Sequence, residues 1–157
     1  MIAGYATPEG TKKFAERQNQ DSQKNYKNVH NLTLSNVGIG TYLGNPDIET
    51  DKLVEAAVKK SILGGINVVD SAINYRAQKA ERSMGNAISQ LINNNDISRE
   101  EIFVSTKNGY VTNDGDIQEG LMQYVMREYG KTGIVNEGDI SPGYHCMTLP
   151  YLNDQLE

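Results

Sequence analysis

Three residues of this chain have the types and spacing for acid–base chemistry at a carbonyl group. Asp70 closes the run Ile66-Asn67-Val68-Val69-Asp70, Tyr75 lies five residues on, and Lys107 closes the run Ile102-Phe103-Val104-Ser105-Thr106-Lys107. Both runs are rich in β-branched residues and read as strands. In a parallel α/β sheet the carboxyl ends of the strands converge on one edge, where active sites are found. A lysine ammonium beside a tyrosine hydroxyl favours the phenolate, and a carboxylate beside the lysine keeps it charged and in place. A tyrosine so placed can act as general acid toward a carbonyl oxygen. The same spacing also fits an ordinary strand-end ion pair beside an exposed tyrosine. On spacing alone both readings stand.

Other candidate motifs fail on their own terms. Gly38-Ile39-Gly40-Thr41-Tyr42-Leu43-Gly44 resembles a dinucleotide fingerprint, but its third glycine comes one residue late and no helix starts there. Gly130-Lys131-Thr132 resembles the end of a phosphate loop, yet Val125 stands where the first glycine is required. Asn113-Asp114-Gly115-Asp116 has the look of a calcium loop without the rest of its ligands, and reads as a turn. His145 and His30 read as loop histidines, and Cys146 as a small, partly buried residue with no metal-ligand spacing.

The elements that must position the first set alternate regularly. Val37-Gly38-Ile39-Gly40 reads as a short buried strand, and Asp51 to Ile62 as a helix stopped by Gly64-Gly65. Strands follow at 66–70 and 102–107, separated by a helix over Lys79–Ile92 and by the capping-box spacing Ser98 to Glu101. Strand, helix, strand, helix, strand predicts right-handed βαβ units and parallel pairing. A further helix is expected over Ile117–Tyr129, an irregular loop over Gly133–Met147, and a helix opening at Thr148-Leu149-Pro150. Residues 1–31, crowded with Lys, Gln and Asn, read as an N-terminal arm, partly helical near Lys12–Gln18 and outside the core. Residues 32–157 read as the domain proper.

Composition narrows the function classes. The 157 residues, 38% hydrophobic and 22% charged, suit one globular domain. Fifteen Lys and Arg against twenty Asp and Glu leave a formal charge of −5, which disfavours nucleic acid and anionic membranes as partners. No run of eighteen apolar residues is present, and the first residues lack the pattern of a signal peptide. A single cysteine cannot form an internal disulfide, and cytoplasmic residence is the expectation. The length falls short of the ~250 residues typical of a complete (β/α)8 barrel.

In order and spacing, four segments together resemble the aldo-keto reductases: Val37-Gly-Ile-Gly-Thr-Tyr42, Gly65-Ile-Asn-Val-Val-Asp70-Ser-Ala-Ile-Asn-Tyr75, Glu81-Arg-Ser-Met-Gly-Asn86 and Ile102-Phe-Val-Ser-Thr-Lys107. The likeness runs from about Leu32 to Glu157. It implies an α/β fold, a partial (β/α)8 TIM barrel of about three βα units with parallel strands. It also implies NADPH-dependent reduction of a small-molecule aldehyde or ketone without a metal. Carried over, Tyr75 is the proton donor, Lys107 assists it, and Asp70 pairs with Lys107. Gly40, Thr41, Tyr42 and Asp70 match the cofactor-binding positions beside the nicotinamide.

The family's catalytic histidine closes a fourth strand, which would follow Glu157, and most of its cofactor contacts come from the second half of the barrel. The expectation is therefore a truncated reductase with little or no activity by itself, and self-association through open sheet edges. Two alternatives remain beside it: one subunit of a split or homodimeric barrel, or a non-catalytic interaction module using the 133–147 loop.

Overall fold

The computed structural model describes residues 2–156. Helix α1, Pro8–Glu16, opens where Thr7 caps it, its Oγ1 accepting from the Gly10 amide at 3.0 Å, with Pro8 in the first turn. One turn of helix, α2 (Gln20–Gln23), leads into the antiparallel hairpin β1 (Tyr26–Val29) and β2 (Leu32–Ser35). Its two-residue turn, His30 and Asn31, is left-handed at both positions (φ +49° and +67°), the geometry that matches strand twist.

The central sheet follows. Strand β3 (Ile39–Gly40) leads to α3 (Ile48–Leu63), β4 (Val68–Asp70) to α4 (Lys79–Asn93), and a capping-box turn at Arg99–Glu101 to β5 (Phe103–Ser105). The strands are parallel in the order β3-β4-β5, as alternation of strand and helix predicts. Asp47 caps α3 by accepting from the Thr50 amide at 2.8 Å, and the chain leaves the helix through Gly65 at φ +97°. Val58 and Ile62 of α3 meet Met84, Ala87, Ile88 and Leu91 of α4 over Val69, which is fully buried.

The N-terminal readings change. The N-terminal segment is not an arm outside the core. Phe14 is 1% exposed within that same cluster, and Thr11 Oγ1 accepts from the Thr33 amide at 3.1 Å. Gly10 lets α1 come so close that a Cβ there would stand 2.4 Å from the Glu100 carbonyl oxygen. The polar composition misled because three residues, Thr11, Phe14 and Ala15, carry the contact while the rest of the helix stays wet. Moreover, the boundary expected between residues 31 and 32 falls inside the hairpin turn.

Beyond β5 the chain builds a second cluster. Helix α5 is only Leu121–Val125, prolonged by one wide turn over Met126–Gly130, because Gly120 holds an extended conformation and residues 114–117 form a turn. The stretch read as irregular contains a small hairpin, β6 (Ile140–Ser141) and β7 (His145–Cys146), before α6 (Leu149–Asp154). Val111, Tyr124, Val125, Val135, Cys146 and Tyr151 close this cluster. Among the described residues no helix is long and apolar enough to cross a membrane.

If α1 belongs to the core, Phe14→Ala should lower the free energy of unfolding by about 3–5 kcal/mol, read by urea denaturation. A loss below about 1 kcal/mol would return the segment to the periphery.

Candidate active site

Register decides which side chains meet. Gly40 pairs with Asp70, and Asp70 with Ser105, so the three strands end level. The pairing continues one residue further: the Thr41 amide donates to the Asp70 carbonyl at 3.1 Å, and the Ser71 amide to the Ser105 carbonyl at 2.9 Å. Thr41 is 2% exposed, its hydroxyl within hydrogen-bonding distance of the Ser71 hydroxyl (2.9 Å) and the Asp70 carbonyl (3.1 Å). Two βα loops are thereby joined at their roots.

Lys107 reaches back across this edge. Its Nζ donates to both carboxylate oxygens of Asp70, each at 2.9 Å, and to the Ser71 carbonyl at 2.7 Å. Desolvation of the ammonium opposes its charge, but the hydrogen bonds and charges of Asp70 and Tyr75 outweigh it, so the pKa lies above the usual lysine value. Lys107 is thus a fixed cation near neutral pH, not a base. The two side chains are 47% and 42% exposed, so the pair contributes at most about 1 kcal/mol to stability. Its consequence is position.

Tyr75 stands in the loop after β4. Its amide donates to the Ala72 carbonyl at 3.0 Å, and its ring lies with its centroid 4.6 Å from the Lys107 Nζ, within cation–π range. The Tyr42 ring meets it edge-on, centroids 5.0 Å apart at 71°. Gly40 ends β3 with open space where a side chain would project. The structure therefore brings Asp70, Tyr75, Lys107, Thr41 and Tyr42 together, with Gly40 as open floor beside them. Adjoining Lys107 is a cavity of about 140 Å³, lined in part by Glu81, Thr106 and Asn108. A larger hollow of about 370 Å³ lies between the β1–β2 hairpin and Gly64–Ile66, apart from these residues.

The other singled-out residues lie elsewhere. His145 pairs with Tyr110 in an antiparallel bridge and packs edge-on against its ring at 4.8 Å. Cys146 is wholly buried, its Sγ 3.3 Å from the Thr148 hydroxyl. Asp114 forms a turn by accepting from the Asp116 amide at 2.9 Å.

What spacing did not reveal is the charge network beneath the Tyr75 loop. The Arg76 guanidinium is buried against the Asp51 carboxylate of α3, and Lys79 Nζ reaches the same carboxylate at 2.8 Å. Lys79 also pairs with Asp116, while Arg82 holds Asp114 and Asp116, each at 2.7 Å. The available signal was Arg76, Lys79 and Arg82 recurring every three residues into the first turn of α4. Cations are disfavoured at a helix N-terminus, and the carboxylates offset that. Hydrogen bonds from Arg82 hold the Asp114 carboxyl below its ordinary value, and those from Lys79 do the same for Asp116.

A family model described as Aldo/keto reductase family matches residues 36–133, more than half of the chain. The match takes in all six residues of this edge. No curated protein matches the chain.

Because the native pKa values of Asp114 and Asp116 lie below the unfolded value of 3.8, their stabilisation is present above that pH and lost as pH falls through the native values. Unfolding free energy measured from pH 6 down to pH 2 should therefore fall more steeply below about pH 4 in the native chain than in Asp114→Asn/Asp116→Asn. Equal slopes would mean that the network does not form in solution.

Proposed function

The chain belongs to the aldo/keto reductase family, and from that premise we propose that Asp70, Tyr75 and Lys107 are the catalytic group of an oxidoreductase that reduces an aldehyde or ketone with NADPH. One observation carries the reading: a lysine held by both oxygens of a strand-end carboxylate stands over the ring of a tyrosine at the carboxyl edge of a parallel sheet. An ion pair built for stability alone has no need of that ring.

In this reading Tyr75 donates its hydroxyl proton to the carbonyl oxygen, and the phenolate left behind is offset by the Lys107 ammonium. Asp70 keeps that ammonium in place and charged. NADPH, when bound, supplies the hydride that the carbonyl carbon accepts. Gly40, Tyr42 and Asp70 would hold its nicotinamide end, because the strand ends are level, Gly40 leaves open space, and the Tyr42 ring is 63% exposed. Thr41, expected with them, is buried and would act from beneath by fastening the two loops. The phosphates do not fit this edge. Lys107, Arg76, Lys79 and Arg82 are each paired with a carboxylate and offer no free cation.

We read the three strands as the first three βα units of a (β/α)8 barrel. Among the described residues β3 and β5 pair only with β4 within their sheet, and Val37 and Leu43, which flank β3 in the chain, are 62% and 80% exposed. Further strands would cover those edges and bring the remaining cofactor contacts. The 157 residues by themselves are expected to be inactive, and self-association is the competing way to cover the same edges.

The test is complementation. The chain mixed with a polypeptide carrying strands four to eight of a family member should oxidise NADPH when an aldehyde is added, and the chain alone should not. Tyr75→Phe should lower that rate by about 10²- to 10⁴-fold. A complemented Tyr75→Phe enzyme as fast as its parent would remove Tyr75 from the chemistry.

A further inference from the structure

Immediately after Tyr75 the backbone turns left-handed for three residues in a row: Arg76, Ala77 and Gln78 have φ of +53°, +51° and +71°. None is glycine. Each such residue is disfavoured by contact between its Cβ and the following carbonyl, so a run of three needs something that holds it.

The Arg76 side chain supplies the hold. It is 1% exposed and its donors point in different directions. Nη2 binds the Asp51 carboxylate of α3, Nε donates to the Asn45 carbonyl at 3.0 Å, and Nη2 also reaches the Asp47 carbonyl at 3.4 Å. Asn45 and Asp47 lie in the loop after β3, the loop that carries Tyr42. A single planar guanidinium thus fastens the loop of Tyr75 to the loop of Tyr42. The two rings meet at 5.0 Å above that fastening. A lysine could not replace it, because one ammonium on a flexible stem cannot span a carboxylate and two carbonyls at once.

We propose that Arg76, seated on Asp51, is a positioning residue that sets the Tyr75 ring between Tyr42 and Lys107. This rests on the reading of Tyr75 as proton donor, and it assigns Arg76 no contact with substrate. The loop would otherwise relax toward right-handed conformations that carry the hydroxyl away from the ammonium.

The test is nuclear Overhauser spectroscopy on the full 157-residue chain with labelled tyrosines. In the parent, cross-peaks should join the Tyr75 ring to the Tyr42 ring and to the Lys107 Hε protons. The Tyr129–Tyr151 pair, 5.4 Å apart in the second cluster, serves as internal reference. Arg76→Lys should reduce both Tyr75 cross-peaks at least threefold relative to that reference, and Val58→Ala, a core truncation away from the loop, should leave them unchanged. Arg76→Ala should behave like Arg76→Lys, and Arg76→Lys decides the matter if the alanine variant does not fold. Cross-peaks of parental intensity in Arg76→Lys would overturn the proposal. So would equal losses in Val58→Ala, since the effect would then be general loosening. Retained reduction by complemented Tyr75→Phe would strike the proton-donor reading instead and leave these cross-peaks as they are.

Discussion

Asp70 pairs with Gly40 on one side and Ser105 on the other, and every arrangement at the carboxyl edge descends from that register. Side chains on a strand alternate between faces, so a slip by one residue would exchange Val69 with Asp70. Val69 is wholly buried under α3 and α4, where a carboxylate would have no partner. The apolar face of β4 therefore enforces the register, and the register delivers Asp70 to the opposite face, level with Ser105 and two residues short of Lys107 in the segment that follows β5. A constraint imposed by the core fixes the geometry of a site that contains almost none of it.

The two ends of the sheet are secured by different means. At the amino end, Asn67 is fully buried. Its Oδ1 accepts from the Ser35 amide at 2.8 Å and its Nδ2 donates to the Thr33 carbonyl at 2.9 Å, so β4 grips the hairpin. Close by, Arg17 meets buried Glu101 through two bonds of 3.1 and 2.8 Å. Arg17 is itself part exposed, so the sensitive partner is Glu101: without the guanidinium its buried carboxylate would have no cation beside it. The carboxyl end instead offers half-exposed charges and an open floor, and it is the end where reacting groups gather.

Much of this was legible in the residues. The places of β4, α4 and β5 and the convergence of Asp70, Tyr75 and Lys107 follow from period, β-branching and parallel connection, although the strands are shorter than the expected 66–70 and 102–107 and Lys107 lies just past the end of β5. Three features were not. Helix α1 hides its few buried residues among lysines and glutamates, so its averaged polarity masks a real contact. The hairpin at 140–146 is two residues wide, too short to show alternation, although Pro142-Gly143 at its tip is a recognisable turn pair. For the fastening by Arg76, the three-residue recurrence of Arg76, Lys79 and Arg82 marks the cations but not what they hold, because the Arg76 partners across the loops lie 25 to 31 residues earlier in the chain and two of the three are backbone carbonyls.

Charges and hydrogen bonds, more than apolar contacts, support the Tyr75 loop. An apolar contact holds a side chain by shape and fixes no single direction, whereas a left-handed loop must be held at particular backbone groups. Ion pairs and hydrogen bonds have directions that apolar contacts lack, and around the buried Arg76 guanidinium and Lys79 ammonium little water competes for them. Asp51 shows the arrangement most plainly: one carboxylate on α3 receives both Arg76 from the loop and Lys79 from α4. Three elements are thereby referred to a single fixed point. The helices are placed by their core, and the loop is placed by the helices. The cost of three left-handed residues is met by bonds whose directions leave the tyrosine little choice of position.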